Sequence, residues 1–376
     1  MRRFLALAAL LTPLPALAQG SPQAAADSND PVAHYASALR HWERRDWDAA
    51  ERALRQAVAL APDYADASLG LALLFAERGE DHWKAVERAE GEAAVERARE
   101  EARQAYRRAF LADPLVDLAL YLRSDAPDLA PEDRPWWFDA FRDAIEAYGR
   151  GDGPAALEVL RRIVTDLRAG GDAERLPDEV LWFRALVAAR ERDYGVAIAE
   201  LSRLTARSDS TARLETPRSS PLVGNDYRYV LATVRYKAGR FDEAIATFEA
   251  AIARDLSLYQ AHTQLARIHQ VAGRWDAAVQ ERRRAIVANP DDANLLTELG
   301  ATLLEAGRAG EAGTTLAEAA RRAPRDARVP YLQSIAALDA GDSIAARSAL
   351  TRFLAIAPSR YARQIEDAHR RLAALP

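Results

Sequence analysis

Between Asn225 and Arg360 the apolar and polar positions repeat one 34-residue pattern four times, with no residue inserted or lost. Each unit reads as an apolar-faced helix, a glycine-centred turn, a second apolar-faced helix and a turn marked by proline. Gly239, Gly273, Gly307 and Gly341 stand 34 apart, and Pro290, Pro324 and Pro358 follow the last three of them by 17 residues. A single hairpin of this kind cannot bury its faces alone, so stacking of neighbours is predicted to build a continuous core along the array.

Counting positions from Asn225, Tyr259, Ala293 and Ala327, position 20 is Ala244, Ala278, Ala312 and Ala346, and position 8 is Ala232, Ala266, Gly300 and Ser334. Small residues there allow two helices to approach closely. Larger side chains at positions 24, 27 and 28, such as Phe248, Ile252, Ile286, Leu316, Phe353 and Leu354, are expected to fill the space between hairpins. The repeat length and its small-Gly-aromatic-Asp-x-Ala-Pro punctuation resemble the tetratricopeptide repeat family. That resemblance implies an all-α fold, a right-handed superhelical solenoid of about eight tetratricopeptide-like helical hairpins, working through protein binding. Two departures stand out: Leu256 replaces the turn proline, and Arg282 takes a usually apolar position.

The same register extends toward the N-terminus. Pro31 to Tyr64 places Ala38, Trp47, Asp48, Ala50, Ala57 and Pro62 at repeat positions, with Arg45 where the turn glycine falls. The next unit opens at Ala65, but Pro114 arrives 18 residues late, which predicts an insertion near 81–98 that is Ala, Glu and Arg rich and favours helix. Prolines 127, 131 and 135 mark a connector over 123–135. Two weaker hairpins follow, Trp137 to Gly170 and Asp178 to Thr211, so the N-terminal array spans 31–211 and position 20 is alanine in all eight units. A long loop or hinge is expected over 205–224, the four regular units over 225–360, and a capping helix over 361–376.

Arg2 and Arg3, an apolar run from Phe4 to Leu11 and the triplet Ala16-Leu17-Ala18 read as a secretory signal peptide over 1–18, followed by a polar linker over 19–30. The expectation is export to the periplasm (or the extracellular space) after cleavage following Ala18. No transmembrane segment and no lipid anchor are expected. The chain holds 51 basic and 56 acidic residues and no cysteine, which argues against nucleic acid as a partner and against disulfides.

Little in the sequence points to catalysis. His34 with His41 and His262 with His269 share a spacing of seven, but they occupy packing positions 4 and 11 of the repeat, so no metal site is expected. No cofactor and no enzymatic activity are expected either. The first helices of tetratricopeptide hairpins form the family's concave wall, and positions 5 and 12 there carry aromatics. Tyr35, Trp42, Phe141, Tyr148, Trp182, Tyr229, Tyr236 and Tyr331, with Arg267 as a carboxylate partner, are therefore the candidate groove, inter-hairpin packing being the alternative role for the rings. The favoured function is an exported scaffold or adaptor for a protein or peptide of unknown identity. A cell-wall glycan-binding module is the alternative, and a carboxylate-based enzyme a remote one.

Overall fold

The computed structural model describes residues 29–61, 64–71, 73–74, 104–118, 134–169, 177–210 and 224–375. The insertion expected near 81–98 and most of the connector over 123–135 lie outside the described residues, as do the signal peptide and almost all of the linker. The regular structure is helical: α1 (Pro31–Glu43), α2 (Trp47–Leu60), α3 (Phe138–Gly149), α4 (Gly153–Ala169), α5 (Asp178–Arg190), α6 (Tyr194–Ser210), α7 (Gly224–Lys237), α8 (Phe241–Ile252), α9 (Tyr259–Val271), α10 (Trp275–Ala288), α11 (Ala293–Glu305), α12 (Ala309–Arg322), α13 (Arg328–Asp339), α14 (Ser343–Ile356) and α15 (Ala362–Ala374). Helical residues also occur at 65–71 and 104–112. The described residues form an all-α solenoid of stacked hairpins.

The turn inside each hairpin explains the glycine period. Gly273 has φ +68°, its N–H reaches Gln270 O at 2.9 Å, and the next N–H, of Arg274, reaches back to His269 O at 2.8 Å. These bonds close the end of α9 in a left-handed conformation that costs glycine nothing. Gly151, Gly239, Gly307 and Gly341 repeat it, and Arg45 and Arg192 hold the same conformation at φ +60° and +62° without glycine's freedom. Aspartates then open several second helices: Asp46, Asp152, Asp193 and Asp342 each accept a bond from a backbone N–H three residues on. Position 20 is fully buried at Ala50, Ala156, Ala197, Ala244, Ala278, Ala312 and Ala346. At position 8, Ala232, Ala266 and Ser334 are fully buried, and a Cβ on Gly300 would come within 2.5 Å of Leu316.

Two compact units emerge. The middle unit spans Asp113–Asp255, and the terminal unit joins Leu14–Ala112 to Leu256–Pro376. The division falls at Leu256, which replaces the turn proline and is 78% exposed. In the middle unit α3 packs on α4, α4 on α5, α5 on α6, α6 on α7 and α7 on α8. In the terminal unit α1 packs on α2, and α9 through α14 pack in sequence, with α11 also touching α13 and α15 covering α14. The face of α15 carrying Ile365, Ala368 and Leu372 seats against Leu350 and Phe353.

Helix α6 continues through Ser210, six residues into the stretch expected as loop. Side chains anchor this extension: the Thr205 hydroxyl donates to Leu201 O at 2.8 Å, Arg207 pairs with Asp178 at 3.1 Å, and Asp209 receives Arg228 at 2.6 Å and Arg254 at 2.8 Å. Residues 211–223 lie outside the described residues.

Candidate functional site

Most of the aromatic residues at positions 5 and 12 point into the hairpins. Tyr229 is 1% exposed and meets Phe248 of its own hairpin at 5.7 Å between ring centroids. Phe141 and Tyr148 both contact Phe183, at 5.6 and 5.9 Å, and Trp182 meets Tyr227 at 5.1 Å while its indole N–H donates to Asp117. Tyr35 is buried against Tyr64 at 5.3 Å, and burial pushes its phenol far above the ordinary value. These five are packing side chains: at position 5 Tyr35, Phe141, Trp182 and Tyr229, and at position 12 Tyr148, fill gaps to neighbouring helices.

Trp42, Tyr236 and Tyr331 are half-buried, leaning on Trp47, Phe241 and Phe353. The Tyr331 hydroxyl also donates to Asp367 at 2.9 Å. Arg267 is exposed and lies 3.8 Å from Glu298. Glu298 also takes the buried Arg282, which donates to Gln270 at 3.2 Å. Arg282 therefore keeps its charge in an apolar position by pairing across to α11. His262 is likewise matched to a carboxylate: its Nδ1 lies 2.7 Å from Glu281 Oε2, and Arg284 approaches the other oxygen. Burial pushes the Glu281 carboxyl up, but the bonds from His262 and Arg284 outweigh it and hold the group below the usual carboxylate range. Among the described residues no group of three or more His, Cys, Asp or Glu side chains is placed to hold a metal. No helix among them is long and apolar enough to cross a membrane.

Among the described residues a concave feature of the terminal unit lies where its first helices begin. A cleft of about 550 Å³ is lined by the first turns of α9, α11 and α13, through Tyr259, Ala293, Asn294 and Arg328. The end of α2 closes it with Gln56, Ala59 and Leu60, and residues 104–112 contribute Arg108. A recess of about 280 Å³ shares Arg108, Tyr259 and Asn289 with the cleft and adds Gln104, Arg107 and Leu111. The rim is polar. Asp292 caps α11 through Asn294 N at 2.9 Å, Asp326 accepts from Arg328 at 2.8 Å, and Arg322 donates to Pro290 O at 2.8 Å.

Residues at the start of α1 tie to the far end of the unit. Asn29 donates to Ile356 O at 3.1 Å and accepts from Arg325 at 2.9 Å, and Asp30 lies 3.4 Å from Arg360. Sequence reasoning overlooked this cleft because its walls come from stretches far apart in the chain. Its only local signal is the polar and charged character of the proline turns and of positions 1 and 2 in successive units.

The tetratricopeptide repeat family model matches residues 35–98, 229–293 and 263–327. No curated protein matches the chain. Among solved structures, the C-terminal part of a TPR repeat-containing protein from Cytophaga hutchinsonii is similar at 16% identity and TM-score 0.47, covering 61% of this chain and 84% of that one. MamA from Desulfovibrio magneticus is similar at 15% identity and TM-score 0.38, covering 50% and 96%. A thermophilic TPR protein from Thermus thermophilus is similar at 20% identity and TM-score 0.32, covering 54% and 99%. The family match and the hairpin geometry agree over the matched stretches without these distant likenesses: residues 35–98 and 229–327 match tetratricopeptide repeats.

Proposed function

We propose that the protein is an exported scaffold that holds an extended segment of a partner protein in the cleft of its terminal unit. The cleft carries this reading, because three first helices start at its wall and its volume suits side-chain and main-chain contacts from a short segment. Amide groups of Gln56, Asn289 and Asn294 on the lining can bond to a peptide backbone, and Tyr259 offers a ring. The order Arg2-Arg3, apolar run and Ala16-Leu17-Ala18 supports export. Burial of Tyr35, Phe141, Tyr148, Trp182 and Tyr229 weighs against the glycan alternative, since a buried ring has no face to offer a sugar.

A photo-crosslinking side chain in place of Tyr259, used in the native envelope, tests the site against the same group at Tyr236. A discrete adduct at Tyr259 alone is the expected result. An adduct at Tyr236 with none at Tyr259 would return the site to the first-helix aromatics. Sequencing of the secreted form should begin at Gln19, and a chain starting at Met1 would refute export.

A further inference from the structure

We propose that the segment held in the cleft is acidic, a chemistry that rests on the protein-binding reading above. Arg107, Arg108, Arg322, Arg325 and Arg328 line the cleft and its adjoining recess, against three aspartates. Arg322 also pairs with Glu318 at 2.6 Å, so an excess of one positive charge remains in a chain whose formal net charge is −5. Two of those aspartates are already engaged. Asp292 is spent on the first turn of α11, and Asp326 on the backbone and guanidinium of Arg328.

Arg108 differs from the turn arginines. It is exposed, faces both the cleft and the recess, and forms no ion pair among the described residues. A guanidinium in a concave polar site presents a planar fork of donors that matches a carboxylate in two parallel bonds. The neutral amides beside it, Gln104 and Asn289, leave the arginines as the source of charge selectivity. A polynucleotide fits less well: it would extend past the cleft over a surface of net negative charge, whereas a short acidic stretch meets the local positive excess alone.

The test uses two fluorescein-labelled decapeptides, one alternating Glu and Ser and one alternating Gln and Ser, titrated with the mature full-length chain and followed by anisotropy. The Glu peptide should bind about tenfold more tightly than the Gln peptide and weaken as salt rises from low to high. Arg107→Glu with Arg108→Glu should lose about tenfold for the Glu peptide. Arg274→Glu, half that charge change at the opposite end of a hairpin, should leave binding within about twofold. If the double variant melts early, Arg108→Gln replaces it, with a loss of about threefold expected. Equal binding of the Gln peptide would overturn the acidic specificity while leaving the scaffold reading in place. So would a Tyr259 adduct with a partner protein when neither peptide binds. An oligonucleotide binding as tightly as the Glu peptide would overturn the choice of a peptide. Self-association abolished by Arg108→Gln would replace the peptide with a second copy of the chain. Loss of both peptide binding and the Tyr259 adduct would overturn the scaffold reading with it.

Discussion

In the middle unit the gaps between helices are filled with rings: Phe183 is gripped by Phe141 and Tyr148, Trp182 lies on Tyr227, and Tyr229 lies on Phe248. In the terminal unit the corresponding space around α9, α10 and α11 holds leucines and paired charges, with Arg282 on Glu298, His262 on Glu281, and Val279, Leu299, Leu303 and Leu316 clustered beside them. Both units use the same turn and the same buried alanine at position 20. The hairpin thus constrains the backbone and its closest contact, while the filler can be apolar or ionic as long as every buried charge finds a partner.

The strongest way to break this comparison is Phe183→Ala, which leaves a cavity between two edge-on rings and should cost about 3–5 kcal/mol in urea denaturation. A cost below about 1 kcal/mol would show that the middle unit collapses onto smaller fillers. In the terminal unit, Glu298→Ala leaves Arg282 buried without its carboxylate and should cost about 3 kcal/mol. The joint change Arg282→Met with Glu298→Leu should return stability to within about 1 kcal/mol of the parent, because an apolar pair of similar volume replaces a desolvated one. If the joint variant is as unstable as Glu298→Ala, the charges are not interchangeable with the fillers of the middle unit.

Close approach sets the next scale. Gly300→Ala drives a methyl group into Leu316 and should cost about 1–3 kcal/mol, whereas Gly313→Ala, with open space around its Cβ, should gain about 0.5–1 kcal/mol in thermal melts. On a similar scale, Arg45→Gly and Arg192→Gly should each gain about 1 kcal/mol by relieving a left-handed backbone at a non-glycine residue.

The last test concerns pH. The folded carboxyl of Glu281 is held below its unfolded value, so its contribution is present above the ordinary carboxylate pKa and is lost as pH falls through the lowered folded value. Glu281→Gln should therefore flatten the decline of stability on the acid side. An unchanged acid decline would assign it to other carboxylates.

Much of the hairpin was legible in the residues. Gly239, Gly273, Gly307 and Gly341 announce turns that all adopt positive φ, and Arg45, read as standing at the glycine position, shares that conformation. The helical faces of Ala244, Ala278, Ala312 and Ala346 were equally clear. The aromatic residues were harder. A spacing of seven puts Tyr229 and Tyr236 on one face of α7, but it does not say which neighbour that face meets, and one of the two is buried while the other is only half covered. The residues support two readings of the end of α6, a hairpin running to Thr211 and a loop from Thr205, and the pairing of Asp209 with Arg228 and Arg254 accompanies a helix that runs to Ser210.

The sequence by itself determined what closes within a few residues: the helical period and the left-handed turn with its short backbone bonds. Those interactions join neighbours in the chain, so local chemistry is enough to specify them. Only the tertiary structure decided which ring is buried, that Arg282 meets Glu298, and that α2, residues 104–112 and three first turns line one arginine-rich cleft. Each of these depends on desolvation by residues distant in sequence, and no pattern within one repeat encodes that distance.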